Sequence, residues 1–173
     1  MPRFFETFRH AKLERFIQKK TKENVRRKLI PISVAEKIGI LFQADNTTDS
    51  EIVMKYAEEL KDEGKDVQVL GFLSKRNHKK NYLFPYLSTK DLTWFGKPKG
   101  GTAGYFIKYP FDILINFASK ELVPFEYIFA LSNAGCRIGF NEKSTLDHYD
   151  CVLLTEKPTD IHKMINGLNK YLS

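Results

Sequence analysis

Lys37-Ile38-Gly39-Ile40-Leu41-Phe42-Gln43-Ala44-Asp45-Asn46 is the stretch on which the fold turns. Six residues of apolar, β-type sequence run straight into turn chemistry, so a short buried strand ends at Phe42 and a loop begins at Gln43. A helix is predicted next, with Thr48 or Asp49 near its N-cap and Glu51 in its first turn. Ile52, Val53, Tyr56, Ala57 and Leu60 share one face of it, and Gly64 supplies the stop. Asp66 to Leu73 (DVQVLGFL) then reads as a second strand after a tight turn. Strand, helix and strand in that order make a β-α-β unit, whose two strands run parallel because the helix carries the chain back to its starting edge.

Downstream the alternation resumes. Phe111 to Phe117 (FDILINF) is predicted as a strand and Val123 to Ala134 as an apolar helix closed by Gly135. Arg137 to Phe140 and Cys151 to Leu154 follow as short strands. Pro158 opens a last helix whose Ile161, Met164, Ile165, Leu168 and Leu172 form a core-facing stripe. Between the two halves, Ser74 to Asn81 (SKRNHKKN) reads as a basic loop, Asp91 to Phe95 (DLTWF) as a strand, and Gly96 to Gly104 as a flexible connection. The whole predicts an α/β fold over residues 31–173, a mostly parallel Rossmann-like three-layer sandwich, in one domain with no internal repeat.

Upstream, residues 3 to about 30 lack Gly and Pro and are dominated by Lys, Arg, Glu and Gln, which predicts a helix that Pro31 terminates. Phe4, Phe5, Phe8, Leu13, Phe16 and Ile17 give its first half apolar surface; after Ile17 only Val25 is apolar before Leu29, so the second half has no core to rest on. Here the charge collects. The 173-residue chain carries 28 Lys and Arg against 21 Asp and Glu, a net of +7, and residues 1 to 28 hold ten basic residues against three acidic ones. The remainder balances 18 of each sign, so the sequence divides into a basic helical arm (1–30) and a neutral domain. With 42% hydrophobic and 28% charged residues, that domain has the composition of a globular core, which excludes a disordered chain and a disulfide-dense mini-fold.

Such an arm points to RNA or a ribonucleoprotein such as the ribosome as partner. Arg9, Lys12, Arg15, Lys19, Lys20, Lys22, Arg26, Arg27 and Lys28 are the expected phosphate contacts, which position a nucleic acid without reading its sequence. An acidic protein partner and an anionic membrane surface are alternatives; the missing apolar face beyond Ile17 weighs against the membrane. The leading expectation is thus a non-catalytic accessory protein. The others are a nucleotide- or sugar-binding enzyme and a protein-interaction module.

In an open parallel sheet ligands bind beyond the carboxyl ends of the strands, which makes Asp45, Thr48 and Asn116 the candidate ligand-binding residues. A helix cap and turn is the plainer reading of residues 45–49. Gly96-Lys97-Pro98-Lys99-Gly100-Gly101-Thr102 is no P-loop, because Thr102 rather than Lys follows the last glycine. Its backbone and lysines can hold a phosphate or an RNA backbone; a mobile surface loop is the simpler alternative. Lys75, Arg76, Lys79 and Lys80 form a second basic cluster, read as solvated loop charge or as a contact. Trp94 and Phe95 are assigned to the core or an edge strand, with base stacking as the alternative. Asp112, Glu121, Glu126 and Asp150 read as ordinary surface or edge carboxylates, and no catalytic residue stands out. Cys136 and Cys151 lie in apolar runs and are expected to be reduced core residues. With no Cys pair and four scattered histidines, no metal and no cofactor is implied. The absence of a long apolar run predicts a cytoplasmic protein.

The stretch Phe111 to Phe140 (FDILINFASKELVPFEYIFALSNAGCRIGF) resembles the N-terminal Rossmann-like domain of heptosyltransferase-type glycosyltransferases, which pass from D-x-x-I-x through a helix and a small-residue turn into R-I-G. The resemblance implies the fold and not the activity, since those enzymes keep the nucleotide-sugar site in a second domain for which 173 residues leave no room. The whole chain also resembles a small family of uncharacterised bacterial α/β proteins of this length, which implies no site residue.

Overall fold

The computed structural model describes residues 11, 15, 27–75, 81–140, 148–155, 157 and 159–172. Six strands form one sheet: β1 (Lys37–Gln43), β2 (Asp66–Leu73), β3 (Tyr86–Ser88), β4 (Ile113–Asn116), β5 (Cys136–Phe140) and β6 (Cys151–Leu153). Their order is β3-β2-β1-β4-β5-β6 and every pairing is parallel. Four helices accompany them among the described residues: α1 (Thr47–Asp62), α2 (Gly101–Lys108), α3 (Val123–Leu131) and α4 (Ile161–Leu172).

Period-two alternation sorts the strand residues onto two faces. Ile38, Ile40 and Phe42 of β1, Ile113 and Ile115 of β4, and Cys136 and Ile138 of β5 pack with α1 and α4. Leu41, Leu70, Phe72 and Leu114 pack on the other face with α2 and α3. Both faces are covered, giving the expected three layers. The α4 stripe is buried at all five expected positions. Gly64, at φ +85°, closes α1 where a side chain would be strained. That helix is capped two to three residues earlier than expected, by Asn46 rather than Thr48 or Asp49, because the Asn46 side chain accepts the Thr48 N–H at 3.0 Å.

The middle of the chain departs from expectation. The strand is Tyr86–Ser88, not Asp91–Phe95. The Asp91 carboxylate accepts the backbone N–H and the hydroxyl of Ser88, and this capping box turns Thr89–Asp91 into a 3-10 turn before another strand can form. Gly96 to Gly104 is no loose connection either, since α2 starts at Gly101 and buries Ala103 and Phe106 against the sheet. At the front, Ala11 and Arg15 are helical, and the other residues of 1–26 lie outside the described ones. Residues 27–30 are not helical, contrary to the run expected up to Pro31. The Lys28 N–H instead donates to Gly135 O at 2.9 Å, which docks this segment beside the start of β5.

No helix among the described residues is long and apolar enough to cross a membrane.

Candidate functional site

The strand order reverses direction between β1 and β4, and the loops leaving those strands diverge there to opposite faces of the sheet. This is where a crevice opens in doubly wound sheets. Asp45 and Thr48 follow β1, and Asn116 ends β4, so all three expected residues stand at the carboxyl edge of the central pair. Their chemistry differs.

Asp45 is occupied in joining β1 to β2. Its carboxylate accepts the Ser74 N–H and hydroxyl, both at 2.7 Å, and the Gln43 side-chain amide at 2.7 Å. Partial burial pushes its pKa up, but these hydrogen bonds and the nearby Lys120 charge outweigh it and hold the group below its ordinary value. The Thr48 N–H is taken by the Asn46 cap, and Asp49 adds a negative charge to the first turn. The turn-and-cap reading therefore describes this side.

Asn116 leads inward. Its side-chain oxygen accepts the Ala118 N–H at 3.0 Å, which orients the amide, and its Nδ2 donates to the Tyr149 hydroxyl at 2.9 Å. Tyr149 in turn donates to Glu126 Oε1 at 2.6 Å. Glu126 is no surface carboxylate: it is 1% exposed, and its Oε2 is buried without a hydrogen-bond partner. It sits in α3, whose Pro124 to Ala130 are all buried, so the helix cannot rotate the acid into water. Burial pushes its carboxyl up to about 7, the Tyr149 hydrogen bond pulling the other way and the Glu121 charge adding to the rise. Gly139 makes the chain possible, because a Cβ there would meet the Tyr149 ring at 2.3 Å. An amide, a phenol and a buried carboxyl group thus form one relay at the end of β4, with one carboxyl oxygen left over.

Asp150 is likewise no ordinary edge carboxylate. Arg137, itself buried, grips it with Nε and Nη2 at 3.0 Å each, and its backbone N–H donates to the same group at 2.8 Å. Arg27 approaches the same carboxylate at 3.5 Å and donates from Nη2 to Ser132 O at 3.0 Å. Arg27 is therefore half-buried against the domain. Among the other expected phosphate contacts, Arg15 and Lys28 are exposed, while Arg9, Lys12, Lys19, Lys20, Lys22 and Arg26 lie outside the described residues. So do Arg76, His78, Lys79 and Lys80 of the basic loop; Lys75 is exposed.

Trp94 is not in the core. It is 62% exposed, on the tip of a small hairpin closed by a Leu92–Pro98 bridge. This region carries a signal that a whole-domain sum conceals. Residues 75–108 contain eight basic residues and a single acid, Asp91, a net of +7. The balance of charges over residues 29–173 arises because residues 29–74 carry −5 and residues 109–173 carry −2. The domain is polarised rather than neutral along its sequence. A running sum of charge would have found the segment.

Cys136 is buried, with burial first among the causes that push its thiol up to about 11; Cys151 is half-buried on the outermost strand, and both are free. Among the described residues no three His, Cys, Asp or Glu side chains gather in a way that could hold a metal ion.

Over residues 7–173 the chain belongs to a family of unknown function, DUF6913. No curated protein matches it.

Proposed function

We propose that the protein is a non-catalytic accessory factor that docks on RNA or a ribonucleoprotein, with the basic N-terminal segment supplying most of the phosphate contacts. The observation that carries this reading is the segregation of positive charge into residues 1–28 and 75–108, each with a net of +7. Charge gathered in this way is matched by a polyanion. Releasing counterions from about six phosphates makes affinity fall by orders of magnitude between low and moderate salt.

Truncation tests it. The cut belongs before Arg27, because Arg27 and Lys28 are bonded to the domain and their removal would confound folding with binding. The shortened chain should stay folded and lose nearly all RNA retention, with the slope of log affinity against log salt shrinking by about 0.7 to 0.9 for each phosphate that the arm no longer neutralises. Equal RNA affinity of the two chains across a salt titration would exclude the arm as the docking element. Retention on acidic protein or anionic vesicles, without RNA binding, would replace the partner class.

A second reading is favoured by the relay at the β4 end. A reversal of strand order beside a buried acid with an unpartnered oxygen suits a nucleotide or sugar ligand, as in an enzyme of glycosyltransferase-like fold. Thermal-shift measurements with nucleotides and nucleotide sugars separate the two readings. Stabilisation that Asn116→Ala removes would favour the enzyme.

A further inference from the structure

We propose that the hairpin of residues 91–99 is a stacking contact for an unpaired base of single-stranded nucleic acid, with Trp94 as the platform and Lys90 and Lys99 as flanking phosphate contacts. It rests on the docking reading and names the form of nucleic acid that reading requires.

The tip is built rigidly. The Gly96 N–H donates to Thr93 O at 2.9 Å, the Thr93 N–H to Lys97 O at 2.8 Å, and the Lys97 N–H to the Thr93 hydroxyl at 3.1 Å. The Lys99 N–H donates to Asp91 O at 2.7 Å and closes the base of the hairpin. Lys97 Nζ lies 5.7 Å from the centre of the Tyr127 ring, which ties the hairpin to α3. On this support the Trp94 and Phe95 rings meet edge to face, 5.0 Å apart at 74°, and the indole is 62% exposed. An exposed indole held in place this way costs no loop ordering when it binds.

Charge selects the occupant. Lys90 and Lys99 are exposed at the base of the hairpin, and the one acid of residues 75–108, Asp91, has its carboxylate engaged by Ser88. An exposed aromatic ring on a hairpin whose base carries two exposed cations, with no available carboxylate nearby in sequence, matches a base with its neighbouring phosphates. A duplex hides its base faces, so the hairpin discriminates for single strands.

Trp94 is the only tryptophan, so its fluorescence reports on the proposed contact directly. The full chain is titrated with a labelled adenine-rich RNA of about a dozen nucleotides, a length that spans one such site, with the same RNA annealed to its complement, and with polyglutamate. The single strand should quench the indole in step with its anisotropy. Trp94→Ala should weaken single-strand binding about ten-fold and leave duplex binding unchanged, and Trp94→Phe should recover most of the affinity. If single-stranded RNA binds without quenching and Trp94→Ala binds it unchanged, the hairpin contact is overturned and the docking reading stands. Equal quenching by polyglutamate also overturns it. Failure of both RNAs to bind at low salt overturns the docking reading and the hairpin contact with it.

Discussion

The two halves of the sheet's carboxyl edge solve the same problem in opposite ways. Each must deal with carboxylates brought close to the ends of buried strands. On the β1–β2 side Asp45 stays ionised, half in water, with donors at both oxygens. On the β4–β5 side Glu126 is sealed in an apolar helix with one donor, and it holds its proton up to about pH 7. Asp150, immediately before β6, is the fully partnered counter-example, its carboxylate held by two arginines. A buried acid with full partners is structural mortar. One left short of partners is a place where chemistry or ligand binding can enter, and the contrast singles out the β4 side.

Substitutions probe that contrast in decreasing order of effect. Asp150→Ala leaves the buried Arg137 guanidinium without its carboxylate and should cost about 3–5 kcal/mol in urea unfolding. A cost below about 1 kcal/mol would show that the arginine pair is solvated and that the contrast with Glu126 is overdrawn. Glu126→Gln acts through pH. The folded protein holds this proton up to about pH 7, while the unfolded chain releases it near 4.5, so between those values the folded state binds more protons and wild-type stability falls as pH rises. The fall amounts to about 3 kcal/mol and levels off above pH 7. Glu126→Gln should lack it, so the difference in melting temperature between the two proteins should move in the variant's favour from pH 5 to pH 8. A constant difference would mean that Glu126 is ionised throughout. Asp45→Ala should cost only about 1–2 kcal/mol, since its hydrogen bonds are shared with water. Its lowered pKa gives the opposite slope: its contribution is complete above the ordinary value of 3.8 and disappears as pH falls through the folded value. Parallel slopes for the Asp45 and Glu126 variants would erase the distinction between the two halves.

Much of the sheet was legible because its strands are apolar runs bounded by turn residues, and because α1 and α4 carry their core residues at helical spacing. The Tyr86–Ser88 strand was not. Three residues are too few to show a period, and Asp91–Phe95 presented a better β composition until the Ser88–Asp91 capping box intervened. The glycines of α2 disguised a helix whose stability comes from burying Ala103 and Phe106 rather than from propensity. At the site, Asn116 could be placed from topology alone. Its partners could not, since Tyr149 lies 33 residues away and reaches it only across Gly139. Glu126 did leave a trace: in Val-Pro-Phe-Glu-Tyr-Ile-Phe-Ala-Leu it is the only charge in a nine-residue helix, and such a helix has no wet side on which to put it. The basic segment around Trp94 was hidden by summing charge over a domain whose other parts are acidic.

The central pairing of β1 with β4 also has a consequence for biosynthesis. Ile38 to Leu41 are paired on one side by β2, made soon afterwards, but on the other by Ile113 to Asn116. During synthesis at about 5–20 residues per second, β1 must wait several seconds with one hydrogen-bonding edge bare. A folding helper acting on this chain would find its target in that interval, on the bare edge of a strand whose Ile38 to Phe42 are all buried in the finished fold.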